Sequence, residues 1–456
     1  MRFGALGAAL LMSVLHTSSA SAAITLLEKD EWQINMEGFI ELDNILDSHR
    51  GLKESPGNAP VPLPSDAAGR NGQWQSSIRN SRLAFSVFPP VHNGWKSKGH
   101  LEFDLLGYDP DPSTVAPKDT ESGYYSNPTM RIRHAYFNLE KDGWNFLAGQ
   151  YWSFFGWQPS YVMTTDSVAP VPGVLYQRLA QATAIKTMML GETSKLQAGL
   201  SLSRPTQRDA SRPNLDVGTR YSWLGRTAGF ASASGEAKLE PASIALSGTF
   251  RSFTTPKEPT GLLGHDRHEA SAFAIDAALP LLAANEGDKS PSNTLLLMAE
   301  FSMGTGYGDQ FPGWSGSPQL PNETGLFQEG KTNLDPGLGG FDGNGNFRLL
   351  QLQTWNAQLQ YHLGSDWHTF VTAGFGQLQA NRLGDLVLTG QRNAATDPLA
   401  KHKYYDAASV YFLNVFHDLT KQVRLGVEYA HFATHHLTSK DEALNDRYQL
   451  TGYFRF

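Results

Sequence analysis

From residue 33 onward one pattern recurs along the chain: apolar and polar side chains alternate with a period of two. In Gln33–Asp43, Ile34, Met36, Gly38, Ile40 and Leu42 share one parity and Asn35, Glu37, Glu41 and Asp43 the other, with Phe39 the one interruption. Leu101, Phe103 and Leu105 oppose His100, Glu102 and Asp104 in the same way. So do Trp355, Ala357, Leu359 and Tyr361 against Thr354, Asn356, Gln358 and Gln360, and Val423, Leu425, Val427 and Tyr429 against Arg424, Gly426 and Glu428. The last residues are the cleanest: Tyr448, Leu450, Gly452, Phe454 and Phe456 oppose Gln449, Thr451 and Arg455. Successive side chains of a strand point to opposite faces, so each run reads as a strand with one apolar and one polar side.

Sixteen such segments can be placed, near 33–43, 77–87, 97–107, 129–140, 144–152, 178–190, 195–203, 226–239, 243–253, 269–279, 294–303, 348–361, 366–379, 404–417, 423–434 and 447–456. The stretch 178–239 carries the weakest pattern, because its Ala-, Ser- and Gly-rich runs have little periodicity; fourteen or eighteen strands remain open. Alternation alone fits a β-sandwich as well as a membrane barrel. The connections discriminate: tight turns (89–94, 141–143, 191–194, 363–366) alternate with long loops (44–75, 108–128, 153–177, 304–347, 380–403). One rim of short turns and one of long loops is the pattern of outer-membrane barrels. The polar parity carries many charges with few lysines, as a wet lumen would. Trp144, Trp355, Tyr361, Tyr429, Tyr448 and Phe456 sit near strand ends, where an interfacial girdle would place them. The expected fold is all-β: a transmembrane antiparallel β-barrel of about sixteen strands, with long extracellular loops and short periplasmic turns. Closure also removes the free edges of so large a sheet.

Residues 1–22 read as a cleaved secretory signal: Arg2, the apolar run Phe3–Leu15, then small residues ending in Ala20-Ser21-Ala22. Residues 23–456 then form the barrel domain. A mean hydropathy of -0.35 excludes a bundle of membrane helices. The absence of cysteine excludes disulfides and thiolate chemistry, and a net charge of -7 without a basic block argues against nucleic-acid binding. Phe456, with Phe454 and Gln449, resembles the C-terminal signal read by outer-membrane barrel assembly machinery, although Gly452 falls one place late.

Three stretches, Arg79–Leu83, Asn127–Tyr136 and Gly149–Pro159, and the following Pro172–Arg178, resemble the DcaP-like family of Gram-negative porins. These lie within the first 180 residues; the remainder matches in barrel pattern and ending. The resemblance implies a trimeric, sixteen-stranded channel whose third long loop folds into the lumen, with a preference for small anions such as dicarboxylates. Some relatives carry an N-terminal coiled coil; here the first strand follows the signal within about ten residues, so that aid to trimerisation is expected to be absent.

A sixteen-stranded barrel is too wide for its own side chains to fill. Gly156–Gln177, stiffened by Pro159, Pro170, Pro172 and Gly173, is the segment expected to narrow it, with Asp166 as its one acid. Arg79, Arg82, Arg131 and Arg133 are the candidate opposing charges, which would favour anionic solutes. Strict alternation complicates this. Arg131 and Arg133 share parity with Ala135, Phe137 and Leu139, and Arg79 shares it with Leu83, Phe85 and Val87. An arginine on the lipid face at mid-membrane costs about 2–4 kcal/mol, so a bulge must switch parity or these residues lie above the hydrocarbon. Their other role would be to bind lipopolysaccharide phosphate at the outer rim. Glu37, Glu41, Glu102, Asp104, Glu300 and Glu428, also expected in the lumen, would oppose the arginines.

His265, His268 and Glu269, the set His431, His435 and His436, and the calcium-loop fragment Asp342-x-Asn344-x-Asn346 have ligand residue types but lack complete spacings. The glycines at 304, 306 and 308 lack the strand-to-helix setting of a phosphate loop. No cofactor, no metal and no catalysis are expected. The sequence reads best as a passive outer-membrane channel for small hydrophilic solutes, in contact with outer-membrane lipids. A non-conducting adhesin or receptor barrel, a barrel-borne hydrolase and a secreted glycan-binding β protein stay open.

Overall fold

The computed structural model describes residues 23–456 apart from 50–51, 67, 108–127, 158–170, 207–209, 258–263, 315–337, 343, 345, 365–367, 384–404 and 438–441. The expected signal segment and Asp166 therefore lie outside the described residues.

Strands follow one another around a ring: β1 (Ile24–Lys29), β2 (Trp32–Asp47), β3 (Gln73–Ser77), β4 (Arg82–Phe88), β5 (Lys96–Asp104), β6 (Arg131–Lys141), β7 (Trp144–Trp152), β8 (Arg178–Met189), β9 (Ser194–Ser203) and β10 (Asn214–Phe230). They continue through β11 (Lys238–Pro256), β12 (His265–Leu282), β13 (Leu295–Thr305), β16 (Gln351–His362), β17 (Thr369–Asn381), β18 (Tyr405–Asp418), β19 (Val423–His436) and β20 (Glu442–Arg455). A small separate hairpin, β14 (Gly339–Phe341) with β15 (Phe347–Leu349), lies in the β13–β16 connection. The product is a closed antiparallel barrel of 16 strands, in which β3 and β4 are two halves of one wall strand, both paired with β2.

Closure is made by β2 and β20, which pair from Phe39↔Arg455 to Asp47↔Arg447. Gly38 and Phe456 exchange two backbone hydrogen bonds of 2.8 and 3.0 Å at the end of this seam. Below Phe456 the edge of β2 would be bare, and β1 pairs with it there, Ile24↔Met36 to Lys29↔Trp32. β1 thus supplies partners to that edge of β2, as a strand in hydrocarbon requires. Asn93-Gly94 and Asp142-Gly143 all have φ between 49° and 79°. These are two-residue turns of the type whose twist matches a hairpin, and they mark the short-turn, periplasmic rim.

The outward parity is apolar and exposed: Ile40, Leu42 and Leu46 on β2, Leu413 and Val415 on β18, Leu425 and Val427 on β19, Tyr448, Leu450 and Phe454 on β20. In a water-soluble sheet protein such side chains would be interior; here they form the lipid-facing surface of an outer-membrane barrel. Phe39, odd in the sequence pattern, faces inward and packs edge-on against Tyr453, ring centres 5.7 Å apart.

One expected strand is misplaced. Residues 226–239 do not form a wall strand; β10 begins at Asn214, and 231–237 is the turn after it. The cause is the bulge between Trp223 and Thr227, beyond which β10 pairs only with β11. The rest of that hairpin, Thr227–Pro241, leaves the wall and turns into the lumen.

The candidate permeation path

The lumen is not empty. Three connections at the long-loop rim fold into it. The β2–β3 loop buries Leu52, Val61 and Leu63 against Val410 and Phe412 of β18 and Ala430 and Phe432 of β19, three and two strands from β2 around the ring. Within the third long loop, the described residues 153–157 and 171–177 reach across from β7 and β8. Gly156 N–H donates to Ser247 Oγ at 2.9 Å, Leu175 N–H to Glu300 Oε1 at 2.9 Å and Tyr176 N–H to the Gln310 carbonyl at 3.0 Å. The start of the β13–β16 connection contributes Tyr307, Phe311 and Trp314, which cluster with Phe155, Leu175 and Tyr405. Backbone crossing a barrel must be hydrogen-bonded or packed, and these segments use both means.

On the wall opposite lies a charge cluster. Glu102 on β5 accepts from Arg133 Nε at 2.6 Å and stands 3.5 Å from Arg82 Nε. Asp104 accepts from Arg133 Nη1 at 2.9 Å and from Arg131 through Nε at 3.0 Å and Nη2 at 2.6 Å. Arg79 pairs separately with Glu54 of the β2–β3 loop at 2.9 Å. All four sequence-predicted arginines thus have their guanidinium groups on lumen carboxylates, three of them with the side chain almost fully covered. That places Arg79, Arg82 and Arg133 away from the outer rim where lipopolysaccharide would bind.

The parity conflict is resolved by two irregularities. In β5–β6 pairing, Glu102 faces His134 but Phe103 faces Ile132, so Arg133 is the extra residue of a bulge. Beyond it Arg131 shifts to the lumen side while Ala135 and Phe137 keep theirs. For Arg79, the break between β3 and β4 at residues 78–81 does the same: Arg79 N–H is held by Ser77 Oγ at 3.1 Å, and Asn80 Nδ2 by Asp43 at 2.8 Å. Glu41, Glu102, Asp104, Glu300 and Glu428 are buried in the interior, and Glu37 is half-buried.

Sequence reasoning missed Arg178. It stands over the Trp152 ring at 5.3 Å, and Arg133 stands over the same ring at 5.7 Å. Its buried Nη1 has no hydrogen-bond partner among the described residues. Arg178 shares parity with exposed Ala180, so alternation hides it. Only its position as the first residue of β8, where the strand leaves the loop, signals that it is free of that rule. Arg82, Arg131, Arg133 and Arg178 therefore converge with two carboxylates, an arrangement with surplus positive charge.

Residues of ligand type that were set aside on their sequence spacing have other partners. His431 pairs with Asp446 at 2.8 Å, His435 with Asp406, and His436 Nε2 donates to the Val61 carbonyl at 2.9 Å. Asp342 holds its own turn, accepting from the amides of Asn346 and Asn344 at 2.9 Å each and from Arg348 Nε at 3.0 Å. The Asn346 amide and these other donors pull its carboxyl below the ordinary aspartate range. A group unforeseen from sequence, His100, Glu102 and His134, brings possible ligand atoms within 4.8 Å of one another. Glu102 is already committed to Arg133 there, and a cation beside that guanidinium would be repelled.

No protein-family model and no curated protein matches the chain. Solved structures do. The outer membrane channel DcaP of Acinetobacter baumannii superposes with a TM-score of 0.60 over 95% of this chain and 100% of that one, at 15% identity. The fold is that of a DcaP-type porin. An anion-selective porin from Comamonas acidovorans (TM-score 0.49, 11% identity, 93% and 100% covered) and Pseudomonas putida OprB (TM-score 0.49, 9% identity, 92% and 94% covered) are more distant.

Proposed function

We propose that this DcaP-type barrel is a DcaP-like porin: a passive diffusion channel for small hydrophilic solutes that favours anions such as dicarboxylates and catalyses no reaction. The observation that carries the reading is the Arg82, Arg131, Arg133 and Arg178 cluster, with Arg178 Nη1 buried beside Trp152 and unpartnered among the described residues. A desolvated guanidinium with spare donors is the group that binds a passing carboxylate in two-pronged fashion. Asp166, on the undescribed part of the third loop, would set the opposite sign across the constriction.

A homotrimer is supported by the uneven wall. Strands β5 to β9 run 9 to 12 residues, whereas β12 runs 18 and β18, β19 and β20 run 14 each. A low wall with exposed Ile132, Phe137 and Phe146 suits contact with a neighbouring barrel better than contact with lipid alone. Phe454 and Phe456 would serve the assembly machinery before closure, and residues 1–22 would be removed on export.

Reconstitution in planar bilayers tests the reading. Wild-type protein in a potassium chloride gradient is expected to give a reversal potential of anion-preferring sign. Arg82→Ala with Arg133→Ala should move it toward the cation side, and Arg178→Gln should lower block by succinate. An unchanged ion preference would remove these residues from the site. Absence of any conductance would favour the receptor-barrel alternative.

A further inference from the structure

The hairpin that leaves the wall at the periplasmic rim has no part in the selectivity cluster, and its contacts are unlike those of the other inward segments. β10 and β11 stand on the side of the ring opposite the β2–β20 seam, yet residues 227–237 reach that seam. Gly229 N–H donates to Thr294 Oγ1 at 2.8 Å. A side chain at Gly229 would meet Pro291, His362 and Thr294 at 2.5 to 2.9 Å, so only glycine allows the crossing. Ala231 exchanges two hydrogen bonds with the Gln360 amide, at 2.7 and 3.0 Å. At the tip, Arg424 Nη1 donates to the carbonyls of Ser232 and Ala233 at 2.6 and 2.9 Å, and Arg455 Nη1 reaches the Gly235 carbonyl at 3.4 Å. Both guanidinium groups are bound by one carboxylate, Asp418, at 2.7 and 2.9 Å.

We propose that Thr227–Pro241 is a latched arm that bars the periplasmic mouth, and that Arg424, Arg455 and Asp418 form its catch. This rests on the channel reading above and adds a barrier at the opposite end from the long loops. The arm is attached covalently only through β10 and β11 and bends at the Leu224–Arg226 bulge, which supplies a hinge. Its tip is made of small residues, Ala231-Ser232-Ala233-Ser234-Gly235, of which Ala231 and Ala233, with Ala237 beside them, pack against Phe39, Phe370, Phe416 and Tyr453, while nearer the root Ala228 and Phe230 are buried with Ala278, Leu296 and Met298. Beyond Ala231, which Gln360 holds, the polar ties of the tip to the wall are hydrogen bonds from Arg424 and Arg455 to backbone carbonyls, which water or a solute carboxylate can replace once the tip lifts. A free anion reaching Arg424 and Arg455 competes directly with those carbonyls, so the solute class favoured at the far end is also the one able to open this end.

The chain lacks cysteine, so Ala233→Cys supplies a single thiol at the covered tip. Three proteins are reconstituted carrying a single thiol: the otherwise wild-type chain, Arg424→Gln with Arg455→Gln, and a chain in which residues 231–237 are replaced by an Asn-Gly turn (the thiol there supplied by Ala228→Cys). Folding is checked by heat-modifiable gel migration; the shortened arm keeps every wall charge and serves if the charge variant does not fold. Conductance is expected to rise in both variants. Reaction of the Ala233→Cys thiol with a charged methanethiosulfonate added from the periplasmic side should quicken about tenfold or more when the catch is removed, and succinate should quicken it in the wild-type background. Equal conductance in all three folded proteins, or a fast thiol reaction already in the wild-type background, overturns the latch and leaves the channel standing. Absence of conductance in all three, the shortened arm included, overturns the channel reading and the latch with it.

Discussion

Two ends of one lumen are filled in opposite ways. At the long-loop end, the inserted segments bury Leu52, Val61, Phe155, Leu175, Phe311 and Trp314 in clusters shared with the wall. At the short-turn end, the β10–β11 arm buries Phe230 at its root, and its tip brings in alanine, serine and glycine and is held by Gln360, Arg424 and Arg455. Apolar burial is non-directional and does not depend on solutes, so the first kind of insertion is a permanent part of the wall. Hydrogen bonds to backbone carbonyls are directional and exchangeable with water, so the tip of the second kind, beyond the buried Phe230, can be released without exposing much apolar surface. The contrast assigns rigidity to the constriction, where selectivity needs fixed charges, and mobility to the exit.

The largest effect expected from breaking this contrast is at Trp314. The side chain is fully covered and packs edge-on against Tyr405, ring centres 4.7 Å apart. Trp314→Ala should lower unfolding free energy by about 3–5 kcal/mol, from lost burial and the cavity left behind. Equilibrium urea unfolding in lipid vesicles reads this directly. A loss below about 1 kcal/mol would mean that the loops rest on their hydrogen bonds instead, and the two ends would not differ in kind.

At the other end the matching change adds volume. Gly229→Val forces a side chain between Pro291, His362 and Thr294. The expected cost is about 1–3 kcal/mol, smaller than at Trp314 because the arm can lift away while the wall stays intact. Comparison of unfolding midpoints with single-channel conductance separates the two responses. Conductance should rise even where the midpoint shifts little. A large fall in stability with unchanged conductance would show that the arm is as integral as the loops.

The wall was legible because it obeys one rule. From β16 to β20 parity breaks only at the irregularity between Tyr405 and Ala407, so Trp355, Val427 and Leu450 share one exposed face with their sequence neighbours of the same parity. Departures from the rule are where the interesting residues sit. Arg133 enters the lumen through a bulge that no residue type announces, Arg79 through the β3–β4 break, and Arg178 from the mouth of β8. Arg424 and Arg455 were visible only as polar-parity wall residues; what they hold is 191 to 220 positions away in the chain. The arm itself was lost for a physical reason: backbone that threads a lumen needs small side chains, and small side chains carry no hydrophobic period. The run Ala231–Ala237 therefore looked like part of a weak strand when it is no strand at all.

The smallest expected effect sharpens the comparison from the loop side. Gly156 N–H donates to Ser247 Oγ, one of the few polar ties between the third loop and β11. Ser247→Ala removes that acceptor and leaves a buried amide, at a cost of about 0.5–1.5 kcal/mol. If the loop is held by Phe155 and Leu175 in the apolar cluster, the amide should find water or strain slightly while the ring and the leucine stay in place. Hydrogen exchange at the Gly156 amide should then accelerate with conductance and ion preference unchanged. Should the ion preference shift along with the exchange rate, a single hydrogen bond would be setting the loop's position, and the permanence ascribed to the long-loop end would have to be given up.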